Sequence, residues 1–213
     1  MTPQEARALV AALPEAREHW LAKTVESVQA RAVWLTGSLG RGQADEWSDV
    51  DLIVVGGSPL LDDALVTTDN PGNGPIGGGH IGALYDIGPL TLWADWYLWP
   101  SQEPVPSDAR LLRGQGNQGI FDLSDSLNRI GRGRPRPHPD RGAFALAMLP
   151  LAAKFVARGA NDKAASMAAM LGAPPDTAVL DGLRSVFSSI SGHDETRILV
   201  DRYLQVVEAL ARR

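Results

Sequence analysis

Apolar residues fall into two regimes along the chain: short runs of strand length broken by glycine and proline in roughly the first hundred positions, and helical spacing after Gly142. Thr2-Pro3-Gln4-Glu5 reads as an N-cap, a first-turn proline and a capping-box glutamate, opening a helix that carries Leu9, Val10 and Leu13. Pro14 starts a second helix, on which Trp20, Leu21, Val25 and Val28 form an apolar stripe. The apolar run from Ala32 to Thr36 ends at Gly37, and the β-branched run from Val50 to Val55 closes at Gly56-Gly57; both predict strands. His80 to Tyr85 and Leu90 to Leu98 flank Asp86-Ile87-Gly88-Pro89, which predicts a hairpin.

Residues 70–79 hold five glycines and two prolines and predict a loop. From Pro100 to about Arg141, prolines, glycines and charges dominate, including Arg132-Gly133-Arg134-Pro135-Arg136-Pro137, and predict a linker or extended surface arm. Helices follow over Ala143 to Arg158 and Asp162 to Leu171, stopped by Gly159 and Gly172, then over Asp176 to Ile190 and Asp194 to Arg213. The last presents Leu199, Tyr203, Val207 and Leu210 on one face and ends in Arg212-Arg213, favourable at a helix C-terminus. The expected architecture is α/β (α+β): a mixed-sheet domain over 1–105, a linker over 106–140 and a mostly helical domain over 141–213, with the active site between the two domains.

Composition narrows the function classes. The chain is 44% hydrophobic and 21% charged, ordinary for a globular protein, and no run approaches the length of a membrane span. Its net charge of −5 disfavours a nucleic-acid-coating role and suits a cationic small substrate. Cysteine is absent, which excludes disulfides and thiolate metal sites and fits a reducing cytoplasm. His19, His80, His138 and His193 lack metal-ligand spacing and read as incidental.

The candidate chemistry is concentrated between Leu35 and Leu52. Side chains alternate along a strand, so Asp49 and Asp51 face one spot, about 7 Å apart along the chain direction. Two neighbouring carboxylates repel unless a cation lies between them, and Mg²⁺ takes one or two carboxylates together with substrate phosphates. Gly37-Ser38, at a strand end, lets backbone N–H groups and a hydroxyl approach a phosphate. Gly40 and Gly42 keep the loop uncluttered, while Arg41 either adds positive charge or faces solvent. Asp95, a lone acid in Leu92-Trp93-Ala94-Asp95-Trp96-Tyr97-Leu98, needs a partner, either a metal or a substrate hydroxyl it deprotonates; Trp93 shares its face.

Gly37-Ser38, the Arg41-Gly42 loop and Ser48-Asp49-Val50-Asp51-Leu52 resemble the motif of DNA polymerase β-like nucleotidyltransferases, particularly the small antibiotic-modifying branch. The likeness is tight from Val33 to Val55 and extends through Asp95 to about Trp99. It implies that Asp49 and Asp51 bind Mg²⁺, with two ions in the site, and that Gly37 and Ser38 hold the nucleotide phosphates. Asp95 is then a metal ligand or the base toward the acceptor hydroxyl. The helical half is similar in outline to aminoglycoside nucleotidyltransferases, which lend a lysine to the triphosphate. The turn Arg158 to Ala164 makes Lys163 the candidate for that role, with Lys154 in reserve.

The resulting expectation is a cytoplasmic, Mg²⁺-dependent transferase moving an NMP, AMP from ATP, onto a small acceptor such as an aminoglycoside antibiotic. Neither a membrane nor a nucleic acid is an expected partner. The alternative is a nucleotide-binding or antitoxin-like protein that keeps the fold and transfers nothing. Polynucleotide end addition ranks third, since no basic groove is evident.

Overall fold

A computed structural model of the chain describes residues 1–211, so the Arg212-Arg213 helix terminus lies outside the described residues. The first helix, α1 (Pro3–Ala11), carries the expected capping box: the Glu5 N–H donates to Thr2 Oγ1 at 3.2 Å and the Thr2 N–H to Glu5 Oε2 at 2.7 Å. Then follow α2 (Leu13–Ser27), β1 (Ala30–Thr36), the single turn α3 (Gly37–Gly40), β2 (Val50–Gly57) and β3 (Ala64–Asp69). A 3-10 turn at Pro71–Asn73 precedes β4 (Gly79–Asp86) and β5 (Thr91–Trp99), the predicted hairpin strands, and then β6 (Arg110–Gly114). The helices α4 (Leu123–Ile130), α5 (Arg141–Ala157), α6 (Asn161–Met170), α7 (Val179–Ser189) and α8 (Asp194–Ala211) complete the chain. None of the described helices is long and apolar enough to cross a membrane.

The chain divides into two compact units. One, the sheet unit, comprises Pro14–Tyr85 and Leu92–His138; the helical unit comprises Met1–Leu13, Asp86–Thr91 and Pro139–Arg213. The expected boundaries at 105 and 141 therefore shift. The first helix belongs to the helical unit because α1 packs on α8, and the tip of the β4–β5 turn joins it, with Arg202 Nη1 donating to the Gly88 carbonyl at 3.5 Å.

In the sheet unit six strands form one mixed sheet in the order β3-β4-β5-β2-β1-β6. β1 lies antiparallel to both β2 and β6, β3 lies antiparallel to β4, and β2 runs parallel to β5. On one face Trp20 of α2 packs on Tyr85 and Trp96, at ring-centroid distances of 4.8 and 6.5 Å. On the other, Trp34, Ile53, Val55 and Trp99 form a core with Val105, Ala109 and Leu127. The segment expected to be a linker thus supplies an edge strand and a helix. Leu123, Leu127 and Ile130 recur at helical spacing and seal the sheet, while Asp122 caps α4 through the Asp125 N–H at 2.9 Å. The Arg-Pro stretch is exposed as expected, yet it is tied down: the Gly133 N–H donates to Gly74 O at 3.1 Å, and Arg136 pairs with Asp69 at 3.6 Å.

In the helical unit α5 is central, with α6, α7 and α8 as neighbours. Its Leu146, Ala147, Leu149, Ala152 and Ala153 are fully buried, which explains an apolar composition around the whole helix. The Asp140 side chain caps it, accepting from the Ala143 N–H at 2.9 Å. Gly159 and Gly172 take positive φ just beyond α5 and α6, the predicted stops. The buried seam of α8 runs through Thr196, Val200, Tyr203, Leu204 and Val207, rotated from the predicted face so that Leu199 and Leu210 are only half-buried. Arg184 of α7 clasps Asp201 and Glu208 of α8.

Candidate active site

The sheet brings three predicted residues together at one end of its central strands. β1 ends at Thr36, the register partner of Asp51, and the chain turns at Gly37 with φ +64°. A Cβ on Gly37 would stand 1.9 Å from Asp51 Oδ2, so only glycine admits the carboxylate here. Gly40 is equally constrained, since its Cβ would meet the Leu35 carbonyl at 2.5 Å; Gly42, at φ +68°, has open space. Because Gly37 and Ser38 are the first two residues of α3, their N–H groups have no helical acceptor behind them.

Asp51 and Asp95 are register partners on the parallel strands β2 and β5, and partners in register project on the same face. Neighbouring strands lie about 4.8 Å apart, which sets the two carboxylates side by side. Asp49 precedes β2 by one residue and is half-buried, as are Asp51 and Asp95. The loop delivering Asp49 is held from below. Arg17 of α2, only 5% exposed, donates through Nη1 to the carbonyls of Asp45, Glu46 and Ser48 at 3.0, 3.3 and 2.8 Å. Ser48 Oγ donates in turn to Asp45 Oδ1 at 2.9 Å. A charge inside an amphipathic helix reads as solvated, so nothing in the local pattern distinguishes Arg17 from Arg7.

Asp95 has two partners, one of which corrects the reading of the histidines. Its Oδ1 accepts from Trp93 Nε1 at 2.9 Å and lies 3.0 Å from His80 Nε2, so His80 is not incidental. The usable signal was the i, i+2 spacing of Trp93 and Asp95, matched on β4 by His80 and Gly82. Nearby, burial and then the charges of Asp95 and Asp51 push the Tyr97 phenol well above its ordinary value, with Arg132 offsetting part of the effect.

The remaining predicted residues lie differently. Arg41 is exposed and tied to Asp108 Oδ2 at 3.0 Å, whose Oδ1 accepts from the Leu123 N–H at 3.0 Å. Its charge is therefore committed to the segment that leads into α4. In the helical unit Lys163 is exposed on α6, whereas Lys154 of α5 is 4% exposed. Their Nζ atoms lie 5.7 and 5.4 Å from the Phe155 ring centroid.

Among the described residues no three His, Asp or Glu side chains are grouped so as to hold a metal ion, and the three aspartates do not form a closed cage. A hard cation that takes one or two carboxylates and keeps waters and phosphates still fits: the donors are carboxylate oxygens, and Asp51 and Asp95 stand in register on adjacent strands. No curated protein sequence matches the chain. Residues 20–71, running from α2 through β3 and carrying Gly37, Ser38, Asp49 and Asp51, match the family model described as Nucleotidyltransferase domain, a description that names no acceptor.

Proposed function

We propose that the chain is a Mg²⁺-dependent nucleotidyltransferase that moves an NMP, AMP from ATP, onto a hydroxyl of a small acceptor with release of pyrophosphate. The observation that carries this reading is the register of Asp51 with Asp95 beside a Gly37 that only a glycine can occupy.

In this reading Asp49 and Asp51 hold Mg²⁺, which, when bound, supplies charge neutralisation for the triphosphate and the departing pyrophosphate. Gly37 and Ser38 approach the phosphates through their N–H groups and the Ser38 hydroxyl. Asp95 orients the acceptor hydroxyl and takes its proton as the oxygen attacks the α-phosphorus in line. The work of the protein is positioning and electrostatics throughout.

A net charge of −5 and a carboxylate-lined site favour a polycationic acceptor, an aminoglycoside-like antibiotic, which would make the protein a resistance enzyme. The test is a pyrophosphate-release screen of the four NTPs with Mg²⁺ against aminoglycosides, lincosamides and protein acceptors. Release with a polycationic acceptor, lost in Asp49→Ala and in Asp51→Ala while the fold persists, supports the reading. Undiminished transfer by either variant refutes it, and ATP binding without release across the panel favours the nucleotide-binding alternative.

A further inference from the structure

Asp95 is held by one oxygen only. Both of its donors, His80 Nε2 and Trp93 Nε1, meet Oδ1, while Oδ2 has no hydrogen-bond donor among the described residues. The two donors are deeply buried, His80 at 3% exposure and Trp93 at 7%. The indole N–H can only donate, so Oδ1 is an acceptor; the imidazole nitrogen facing the same oxygen is then the protonated one. His80 Nδ1, on the other side of the ring, is buried without a partner. A phenylalanine would fill the same space, edge-on to Tyr97 as the imidazole is at 5.0 Å, without orphaning a polar atom. Core packing alone therefore does not account for a histidine here.

Space for the second donor is provided from β4. A Cβ on Gly82 would lie 2.0 Å from Trp93 Cζ2 and 2.8 Å from Thr68 Oγ1. The alternating pairs His80/Gly82 and Trp93/Asp95 on adjacent strands thus form one device, a donor and a vacancy facing a donor and an acid.

We propose that His80 and Trp93 are positioning residues that clamp Oδ1 of Asp95 and fix the rotation of its carboxylate, leaving Oδ2 as the single oxygen presented to the acceptor hydroxyl. The inference rests on the transfer reading of the site. In the step it serves, the acceptor O–H bond breaks and its proton goes to Oδ2. The acceptor oxygen bonds the α-phosphorus, and pyrophosphate leaves with the electron pair of the broken P–O bond. Without the clamp the carboxylate samples orientations that present neither oxygen.

Two measurements on the full chain test this. Side-chain nitrogen NMR reads the clamp without any turnover: the His80 Nε2–H and Trp93 Nε1–H resonances both move in Asp95→Ala, and a failure of either to move overturns the proposal. In steady-state transfer, His80→Phe lowers kcat by about 10–100-fold with KM for the NTP within about twofold, and His80→Gln, which keeps a donor, recovers most of the loss. An unchanged kcat in His80→Phe, or equal losses in both variants tracking a lowered melting midpoint, assigns His80 a structural role and overturns the proposal. Should His80→Phe not fold, Trp93→Phe and Gly82→Ala, which remove and displace the second donor, carry the same expectation and the same refutation. If the wild-type protein transfers to no acceptor, the transfer reading fails by itself, and the NMR result still decides whether the clamp exists.

Discussion

Gly37 and Gly42 differ in one physical respect, which makes them a matched test of the site. Both have left-handed backbones, φ +64° and +68°, so alanine at either costs about 1–2 kcal/mol of conformational energy. For a chain of this length each kcal/mol lowers the melting midpoint by about 2–4 °C, so Gly42→Ala should melt roughly 2–8 °C below the parent and Gly37→Ala at least as far below it. Only at Gly37 does the new methyl meet anything. It would stand 1.9 Å from Oδ2, 2.7 Å from Cγ and 3.2 Å from Cβ of Asp51. The Asp51 Cβ is fixed by the strand, so the carboxylate must rotate away by an ångström or more. A displacement of about 1 Å in a reacting assembly costs on the order of 100-fold in rate. Gly37→Ala should therefore lose about two orders of magnitude in nucleotide transfer, and Gly42→Ala should stay within about twofold of wild type. The assay is pyrophosphate release at saturating NTP, with thermal melts run on the same preparations. Equal losses of activity in the two variants, or full activity in Gly37→Ala, would refute the reasoning.

Three further expectations follow from buried contacts. Arg17→Met leaves the Ser48 carbonyl without its buried donor, costing about 1–3 kcal/mol in urea denaturation, and lowers transfer by loosening Asp49; a variant as stable and active as wild type contradicts the anchoring role. Leu127→Ala opens a cavity beneath Trp34, Ile53 and Trp99 and should cost about 2–5 kcal/mol, where a residue in a solvated linker would cost under about 0.5. Burial pushes the Tyr85 phenol above its ordinary value of 10.0, a shift the Trp96 N–H partly offsets and the Asp63 charge adds to. The folded state thus holds that proton more tightly than the unfolded chain, so this contribution is intact below pH 10.0 and is lost as pH rises past it. Tyr85→Phe strands the Trp96 N–H and the Leu60 carbonyl and should be about 1–3 kcal/mol less stable near neutrality. Its deficit should shrink in urea titrations at about pH 11, and a deficit that grows with pH refutes the assignment.

What the sequence made legible was local. The capping box at Thr2, the apolar runs of β1 and β2, the glycine stops at 159 and 172 and the Asp49-x-Asp51 spacing all follow from rules acting within a few residues. The placement of Asp95 beside Asp51 is different: it depends on β5 returning parallel to β2 from about forty residues away, which the motif resemblance supplied and periodicity could not. Arg17 and His80 escaped because their value lies in partners 28 and 15 positions distant. β6 escaped because Arg110-Leu111-Leu112-Arg113-Gly114 is a half-exposed edge strand without alternation, recognisable only once β1 is there to pair with it. For α4 the signal was present, an Asp122 cap followed by Leu123, Leu127 and Ile130 at helical spacing, but the surrounding prolines and glycines outweighed it.

In the proposed function Asp51 and Asp95, register partners on adjacent strands, serve nucleotide transfer. The direct measurement is label transfer from α-labelled ATP with Mg²⁺ to a polycationic acceptor, by wild type, Asp51→Asn and Asp95→Asn, each confirmed folded by its melt. Labelled acceptor is expected with the wild type, and a loss of at least about 100-fold with either variant. Transfer persisting in Asp51→Asn would contradict that role.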